Sequence, residues 1–433
     1  MNSSEEIVMA MAELMVYMDG TRCGRLRQSS SGNLSFEYDD SYLTLAQATP
    51  LSLSMPVTIT SHPNRTARPF FDGLLTDNEQ ARAALAREYG VSPENPFALL
   101  SHVGSDVAGA LQVLAPDVEP TDGASGPDGF TLLTQDDVEV LLLDTIAEYR
   151  DGMPSPGLAQ RFSLAGAQPK VALHCSPEGW ARPDIGTPTT HIVKPVAGRY
   201  RRLDVVEHLT MRAAHRLGLP VAETTLFTFG HVPAFITTRY DRRKAGGRWI
   251  RVHQEDLCQA LAIPPRKKYQ REDGGPGVGK AARLFQGLPL RADRDEVARE
   301  FFRGLMFNTV VEATDAHAKN YSLILIGDRV RLAPLYDLVT YAPYKDDGPT
   351  LAAMQIGGEY DFARIGTTQC LKAAKTLGVD EAWARDIITE LRRDVTGAFE
   401  AARDDLVQTD SETREAANWV VDAVSRLRLT GAP

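Results

Sequence analysis

Between residues 14 and 38 apolar and polar side chains alternate, and the alternation breaks at Asp19-Gly20. A period of two puts every second side chain on one face of a strand, and Asp-Gly favours the primed turns whose twist matches paired strands. A small antiparallel sheet is therefore expected to open the chain, with residues 51–58 and 108–114 as further strands. From Asp77 to Tyr89 the apolar spacing changes to three and four, closed by Gly90. A shorter helical stretch runs from Pro96 to Val103, closed by Gly104. Residues 1–115 read as a small, strand-rich α+β subdomain.

Residues 115–129 are dominated by Pro, Asp and Gly, which sustain neither period, so a linker is placed at 116–133. A helix follows at Gln135–Arg150 with Thr134 as its cap, then a second Pro/Gly-rich stretch at 152–157. Apolar runs at 161–173, 190–195, 222–229 and 233–239 predict strands around one helix, Val205–Leu217, closed by Gly218. This is a strand-rich lobe over 134–250. Beyond Arg251 the helical period dominates, at 253–262, 279–286, 293–313 and 380–428, interrupted by a short hairpin at 321–332. The fold class expected is α+β: two lobes in a protein-kinase-like arrangement, the second, 251–433, mainly helical, with a nucleotide between them.

Composition narrows the partners. Across 433 residues, 47 basic against 57 acidic side chains give a formal charge of -10, so the chain as a whole is no polyanion binder. Cys23, Cys175, Cys258 and Cys370 lie far apart with no CxxC pair, which disfavours a disulfide framework or zinc module. Glu207-His208 and His253 form no metal-ligand pattern either. Glu5 and Glu6 stand where a signal peptide would carry Lys or Arg, and no apolar run reaches the ~18 residues of a membrane span. A soluble cytoplasmic protein without membrane contact is expected.

The candidate chemistry lies in Thr314-Asp315-Ala316-His317-Ala318-Lys319-Asn320, followed by the hairpin and by Pro334-Leu335-Tyr336-Asp337. Phosphoryl transfer asks little covalent help of a protein: one group orients the nucleophile and oxygen ligands fix magnesium on the phosphates. Asp315 suits the first role. Asn320, five residues on, and Asp337, across the hairpin, suit the second, because magnesium keeps most of its octahedron for phosphates and water. The spacing matches that of a protein-kinase catalytic loop and its metal-binding Asp. Upstream, Ser163-Leu164-Ala165-Gly166-Ala167-Gln168-Pro169-Lys170 has small side chains that let backbone N–H groups approach phosphate oxygens, with a lysine at its end. Lys194 ends an apolar strand, either as a snorkelling edge charge or, in a nucleotide lobe, as the group that holds the α and β phosphates, with Glu207 either steadying it or standing as a solvated first-turn acid. The stretch Gly274–Ala281 fails as a Walker loop, since Ala281 replaces the magnesium-binding hydroxyl and no strand precedes it.

With these residues the chain resembles the HipA-type serine/threonine-protein kinase toxins. Further blocks carry the resemblance: Phe71-Asp72-Gly73-Leu74-Leu75, Gln254-Glu255-Asp256-Leu257-Cys258-Gln259 and Asp273-Gly274-Gly275-Pro276-Gly277. The resemblance implies ATP and Mg2+ as cofactors, Asp315 as catalytic base, and Asn320 and Asp337 as metal ligands. Ala165, Gly166, Ala167, Gln168, Pro169, Lys170 and Lys194 would contact phosphates. Thr238, Arg239 and Tyr240 would form the hinge beside adenine, with Thr238 where the family often has an acid. His317, Ala318, Lys319 and Tyr336 would line the nucleotide site, and Ser163 would be autophosphorylated. It further implies a HipB-like helix-turn-helix antitoxin, contact with operator DNA mainly through that antitoxin, and a protein substrate such as glutamyl-tRNA synthetase or another aminoacyl-tRNA synthetase. The rival functions are a small-molecule or lipid phosphotransferase and a catalytically idle co-repressor.

Overall fold

A computed structural model describes residues 12–120, 129–152, 165–184, 187–346, 348–406 and 410–430. The chain opens with β1 (Ala12–Met18), β2 (Thr21–Gln28) and β3 (Leu34–Tyr38), followed by a helical turn α1 (Asp40–Leu43) and the short β4 (Ser61–His62). Helices α2 (Asn64–Asp72), α3 (Glu79–Glu88) and α4 (Pro96–Val103) lead to β5 (Leu111–Leu114). The sheet runs β4-β3-β2-β1-β5, antiparallel throughout. Asp19 and Gly20, both at positive φ, turn β1 into β2 as their sequence requires. Alternate strand residues Leu14, Val16, Leu26 and Phe36 join Phe70, Phe71, Leu99 and Leu100 in one apolar core.

The second sheet contains β6 (Phe130–Leu132), β7 (Val171–Ser176), β8 (Gly179–Pro183), β9 (His191–Pro195), β10 (Thr224–Phe229) and β11 (Val232–Thr238), in the order β10-β11-β9-β7-β8-β6. Helix α5 (Gln135–Asp151) starts on the predicted cap: Thr134 accepts from the Asp137 N–H at 3.1 Å, and Asp137 accepts from the Thr134 N–H at 2.8 Å. Helix α6 (Leu203–Arg216) carries the lobe's second apolar face.

A two-stranded ribbon, β12 (Arg242–Ala245) and β13 (Arg248–Arg251), leads into β14 (Gln254–Asp256) and the short helices α7 (Leu257–Ala260) and α8 (Gln270–Asp273). Helices α9 (Val278–Gln286) and α10 (Arg291–Val310) follow. The hairpin β15 (Ser322–Ile326) and β16 (Arg329–Leu332) is extended by β14, and β17 (Leu351–Ile356) pairs with β18 (Glu359–Asp361). Helices α11 (Thr367–Leu377), α12 (Glu381–Asp404) and α13 (Ser411–Ser425) complete the lobe. Its core, centred on Phe301, Phe302 and Phe307, also takes in Val205, Val206 and Leu209 of α6. The fold is the expected α+β class.

Three predicted elements and the predicted linker differ. Residues 51–58 form turns with one bridge, Ser52 to Met55, because the segment folds against Glu255 and Gln259 and not along a strand. Residues 253–262 split into β14 and α7, since Gln254–Asp256 pairs with Ser322–Ile324. The strand predicted over 161–173 starts at Val171: residues 165–170 are non-strand and 161–164 lie outside the described residues. Phe130–Leu132, inside the stretch read as linker, pairs with β8.

Candidate active site

Strand β9 ends by pointing Lys194 into the space between the lobes. Its ammonium is 2.7 Å from Glu207 Oε1 on α6 and also donates to Asp337 Oδ1. Lys194 is 6% exposed, and an ammonium so buried is tolerable only with partners of opposite charge. Burial works against ionisation of Asp337, but Lys194 and then Lys170 outweigh it and hold its carboxyl below the usual range. Burial pushes Glu207 up in spite of Lys194, with the Asp337 charge adding to the rise. Lys170 goes the other way: burial pulls its ammonium down to about 8. Asp337 sits at φ 53°, a left-handed conformation rare outside glycine, asparagine and aspartate, which turns the chain sharply after Tyr336.

The loop after α10 fixes the other predicted groups. Asn320 Nδ2 donates to the Asp315 carbonyl at 2.8 Å, and the His317 N–H reaches the same oxygen at 2.7 Å. Tyr336 donates to the Lys319 carbonyl at 2.7 Å and meets Ser322 Oγ at 2.6 Å. Asp315 itself is exposed, and its Oδ1 accepts from the hydroxyl of Tyr269. Burial holds the His317 imidazole down at about 4, against the pull of Asp315, so it is neutral at pH 7.

The N-terminal subdomain contributes a wall. Asp77 lies 2.7 Å from Lys319 Nζ and 3.1 Å from Lys268 Nζ. Its burial would raise the carboxyl, yet the two ammonium groups bring it to about 2. The same turn grips the 165–170 loop: Thr76 Oγ1 and the Asp77 N–H both donate to the Gly166 carbonyl at 3.3 Å, and Asn78 Nδ2 donates to Ala167 at 3.3 Å. Lys170 closes the loop with a 2.9 Å bond to the Ala165 carbonyl. Glycine is required at 166, where φ is 109° and a Cβ would stand 2.3 Å from Lys170 Nζ.

These groups surround a cleft of about 920 Å3, open to solvent on one side. Ala165, Gly166, Lys170, Lys194, Thr238, Arg239, Tyr240, His317, Lys319, Asn320, Tyr336 and Asp337 all line it. Among the other predicted residues, Gln168 and Pro169 face a smaller pocket behind Lys194, beside Glu207. Ala318 is fully buried, and Asp315 is exposed and does not itself line the cleft, although the Asn320 that its carbonyl holds does. Ser163 lies outside the described residues. At the hinge the Arg239 guanidinium turns away from the cleft to Thr189, Val107 and Asp241. The N–H groups of Thr238 and Arg239 are spent on Glu223 and Thr190. The Arg239 carbonyl accepts from the Arg242 N–H, and the rings of Tyr240 and Tyr336, which also line the cleft, stack at 5.8 Å. Sequence reasoning missed Asp77, Lys268 and Tyr269. Asp77 follows a pair of buried leucines in a polar triplet, a usable signal. Lys268 and Tyr269 sit in a charged stretch with none.

Residues 162–399 match the family model described as HipA-like C-terminal domain, and residues 14–114 match that of the HipA N-terminal domain. The serine/threonine-protein kinase toxin HipA of Shewanella oneidensis is 31% identical over 363 residues, 81% of this chain and 80% of the relative. The chain belongs to the HipA family of serine/threonine kinase toxins. A protein of Sinorhizobium fredii named as a candidate kinase, Y4mE, is 37% identical over 88% of this chain and 90% of its own length. Among solved structures, a chain of the Shewanella oneidensis complex of HipA, HipB and operator DNA superposes with a TM-score of 0.77 at 25% identity, covering 96% of this chain and 97% of that one. In HipA terms, the N-terminal domain supplies Asp77 to the cleft and the C-terminal domain supplies the Lys194–Asp337 pair. No helix among the described residues is long and apolar enough to cross a membrane.

Proposed function

We propose that this HipA-family chain transfers the γ-phosphoryl group of ATP to a serine or threonine hydroxyl of a protein. The observation that carries the reading is the buried Lys194, shared between Glu207 and Asp337 beside the loop that ties Asn320 to Asp315. Asp315 accepts the hydroxyl proton as the acceptor oxygen bonds to Pγ and ADP departs with the bridging oxygen. Lys194 and the backbone of 165–170 hold the phosphates. Asn320 spends its amide nitrogen on Asp315, which leaves its oxygen free, and Asp337 has a second carboxylate oxygen beyond the one bonded to Lys194. These hard oxygens fit Mg2+, which would neutralise charge on the β and γ phosphates. Adenine would lie between the Thr238–Tyr240 edge and the Tyr240 and Tyr336 rings.

The same reading assigns the chain a HipB-like antitoxin partner, in line with the solved relative, with operator DNA reached through it. It includes silencing by phosphorylation of Ser163, whose added negative charge would oppose the incoming ATP phosphates. The acceptor class proposed is an aminoacyl-tRNA synthetase, glutamyl-tRNA synthetase among them. The decisive test is radiolabelled phosphate incorporation in the full chain. Asp315→Asn and Asp337→Asn are expected to fold normally and lose autophosphorylation by about 10²-fold or more. Undiminished incorporation in Asp315→Asn would overturn the assignment. Phosphoproteomics of cells expressing either form would identify the acceptor.

A further inference from the structure

The nucleotide cleft ends at a wall that sequence reasoning gave no role. Tyr269, between Pro265–Lys267 and α8, packs its ring edge-on against His317, centroids 4.9 Å apart, while its hydroxyl donates to Asp315 Oδ1. Beyond Tyr269 lies a second, more open groove of about 960 Å3, bounded by Tyr200, Tyr341, Glu272, Thr314 and Leu351. The two concavities share no lining residue: His317 faces the first, Tyr269 and Thr314 the second. Asp315 stands where they would meet.

Two features suit the outer groove to an extended polypeptide. One wall is aromatic, with Tyr200 and Tyr341 meeting edge-on at 6.2 Å. The other is the start of β17, Leu351 to Ala353, which among the described residues pairs as a strand only with β18, the Gln355 N–H further along being held by Gln270. Charges of both signs stand around the groove: Glu272 and Asp346 line it, Arg199 lies over the Tyr200 ring, and Lys345 is tied to Glu312 at 2.8 Å.

We propose that this outer groove seats the acceptor, an extended serine- or threonine-bearing segment of a protein, and that Tyr269 is the gate between acceptor and nucleotide. The inference rests on the kinase reading above. The Tyr269 hydroxyl holds the Asp315 carboxylate where an acceptor hydroxyl must sit, so a bound acceptor displaces it and takes over the hydrogen bond. Until then that one carboxylate oxygen is engaged by the phenol, on a side chain that is otherwise exposed. Water in that position would give its proton to Asp315 and its oxygen to Pγ, releasing phosphate and ADP without a phosphoprotein. Burial of the phenol, reinforced by the Asp315 charge, keeps it protonated and a donor at neutral pH.

The full chain with Mg-ATP supplies the test, in two assays: phosphate release without acceptor, and labelling of an arrayed library of serine-containing peptides. Tyr269→Phe keeps the ring and loses the hydroxyl. It is expected to raise acceptor-free hydrolysis about 10-fold relative to peptide labelling, with the KM for ATP unchanged. Pro349→Trp, at an exposed position on the groove rim, is expected to raise the KM for the best peptide about fivefold or more. The gate is overturned if Tyr269→Phe leaves the ratio of the two rates unchanged, including by lowering both together. The groove is overturned if Pro349→Trp leaves the peptide KM unchanged or if no peptide is labelled. Asp315→Asn separates the failures: activity surviving there sinks the kinase reading itself, whereas silence there with an unmoved ratio in Tyr269→Phe sinks only the gate.

Discussion

Two clusters of buried charge border the cleft, and they differ in how open their carboxylates are. At the junction of the N-terminal subdomain and the ribbon, Asp106 accepts from the Thr189 N–H at 2.9 Å, Thr189 Oγ1 at 2.6 Å and Arg242 at 2.8 Å. Arg239 reaches Asp241 and the Val107 carbonyl, and Arg242 reaches the Gly109 carbonyl at 2.7 Å. Carboxylates and backbone oxygens meet these guanidinium groups from several sides, as a buried charge requires. Around Lys194 the pairing is as tight, but the Asp337 side chain is 35% exposed, against 8% for Asp106. Burial and ion pairing therefore do not mark a functional charge. A carboxylate with a free oxygen facing a cavity does.

Substitution in each cluster should separate the two kinds. Arg242→Met removes a donor to Asp106 and Gly109 that no water can replace, and is expected to cost about 3–5 kcal/mol in urea unfolding. Lys194→Met is expected to cost under about 2 kcal/mol, because Glu207, already pushed upward by burial, can take up a proton once its partner is gone. Its damage should fall on phosphate incorporation instead, by about 10²-fold or more. Equal stability losses in the two variants would erase the distinction.

A smaller effect follows from Lys170, whose ammonium burial holds at about 8 instead of the ordinary 10.5. The folded chain then binds fewer protons than the unfolded chain between those values. The buried charge costs stability below about pH 8, and the cost fades as pH rises toward 10.5. Nucleotide affinity should run the opposite way, weakening as the ammonium is lost above pH 8, by at most about tenfold per pH unit. Titrating ATP affinity from pH 7 to 9.5 checks this, and Lys170→Arg, which keeps its charge, should flatten the profile. A wild-type profile as flat as that of the variant would exclude Lys170 from the phosphates.

The two clusters also show why part of the site was legible and part was not. Asp315, Asn320 and Asp337 are close in sequence and keep a spacing imposed by a hairpin, so chemistry and chain geometry coincide there. Lys194 and Glu207 were legible because a strand end and the first turns of the next helix face each other across a short connection. Arg239 lines the cleft at the strand end, yet its guanidinium answers Asp106, more than a hundred residues earlier. Residues 51–58 misled, their conformation being set by Glu255 and Gln259. Helix α2 holds Pro69 and still forms, anchored by the buried Phe70 and Phe71. Local pattern cannot register such tertiary compensation.

Asp77 stands between the two kinds and gives the smallest effect with the finest discrimination. Like Asp106 it is held by more than one cation, here Lys319 and Lys268; like Asp337 it lines the cleft. Its carboxyl sits near 2 against an ordinary 3.8, so its stabilisation is fully present above about pH 4 and lost as pH falls toward 2. Asp77→Asn removes that contribution, about 2 kcal/mol at neutral pH, and leaves two ammonium groups facing each other. If the pair belongs to the architecture, the loss should be the same with or without nucleotide. If Lys319 serves the phosphates, ATP brings replacement negative charge, and the thermal shift on adding Mg-ATP should be larger in the variant than in the wild type by a degree or more. An equal shift would place Asp77 with Asp106, as a brace between subdomains; a larger one places it with Asp337, and makes the N-terminal subdomain a working part of the nucleotide site.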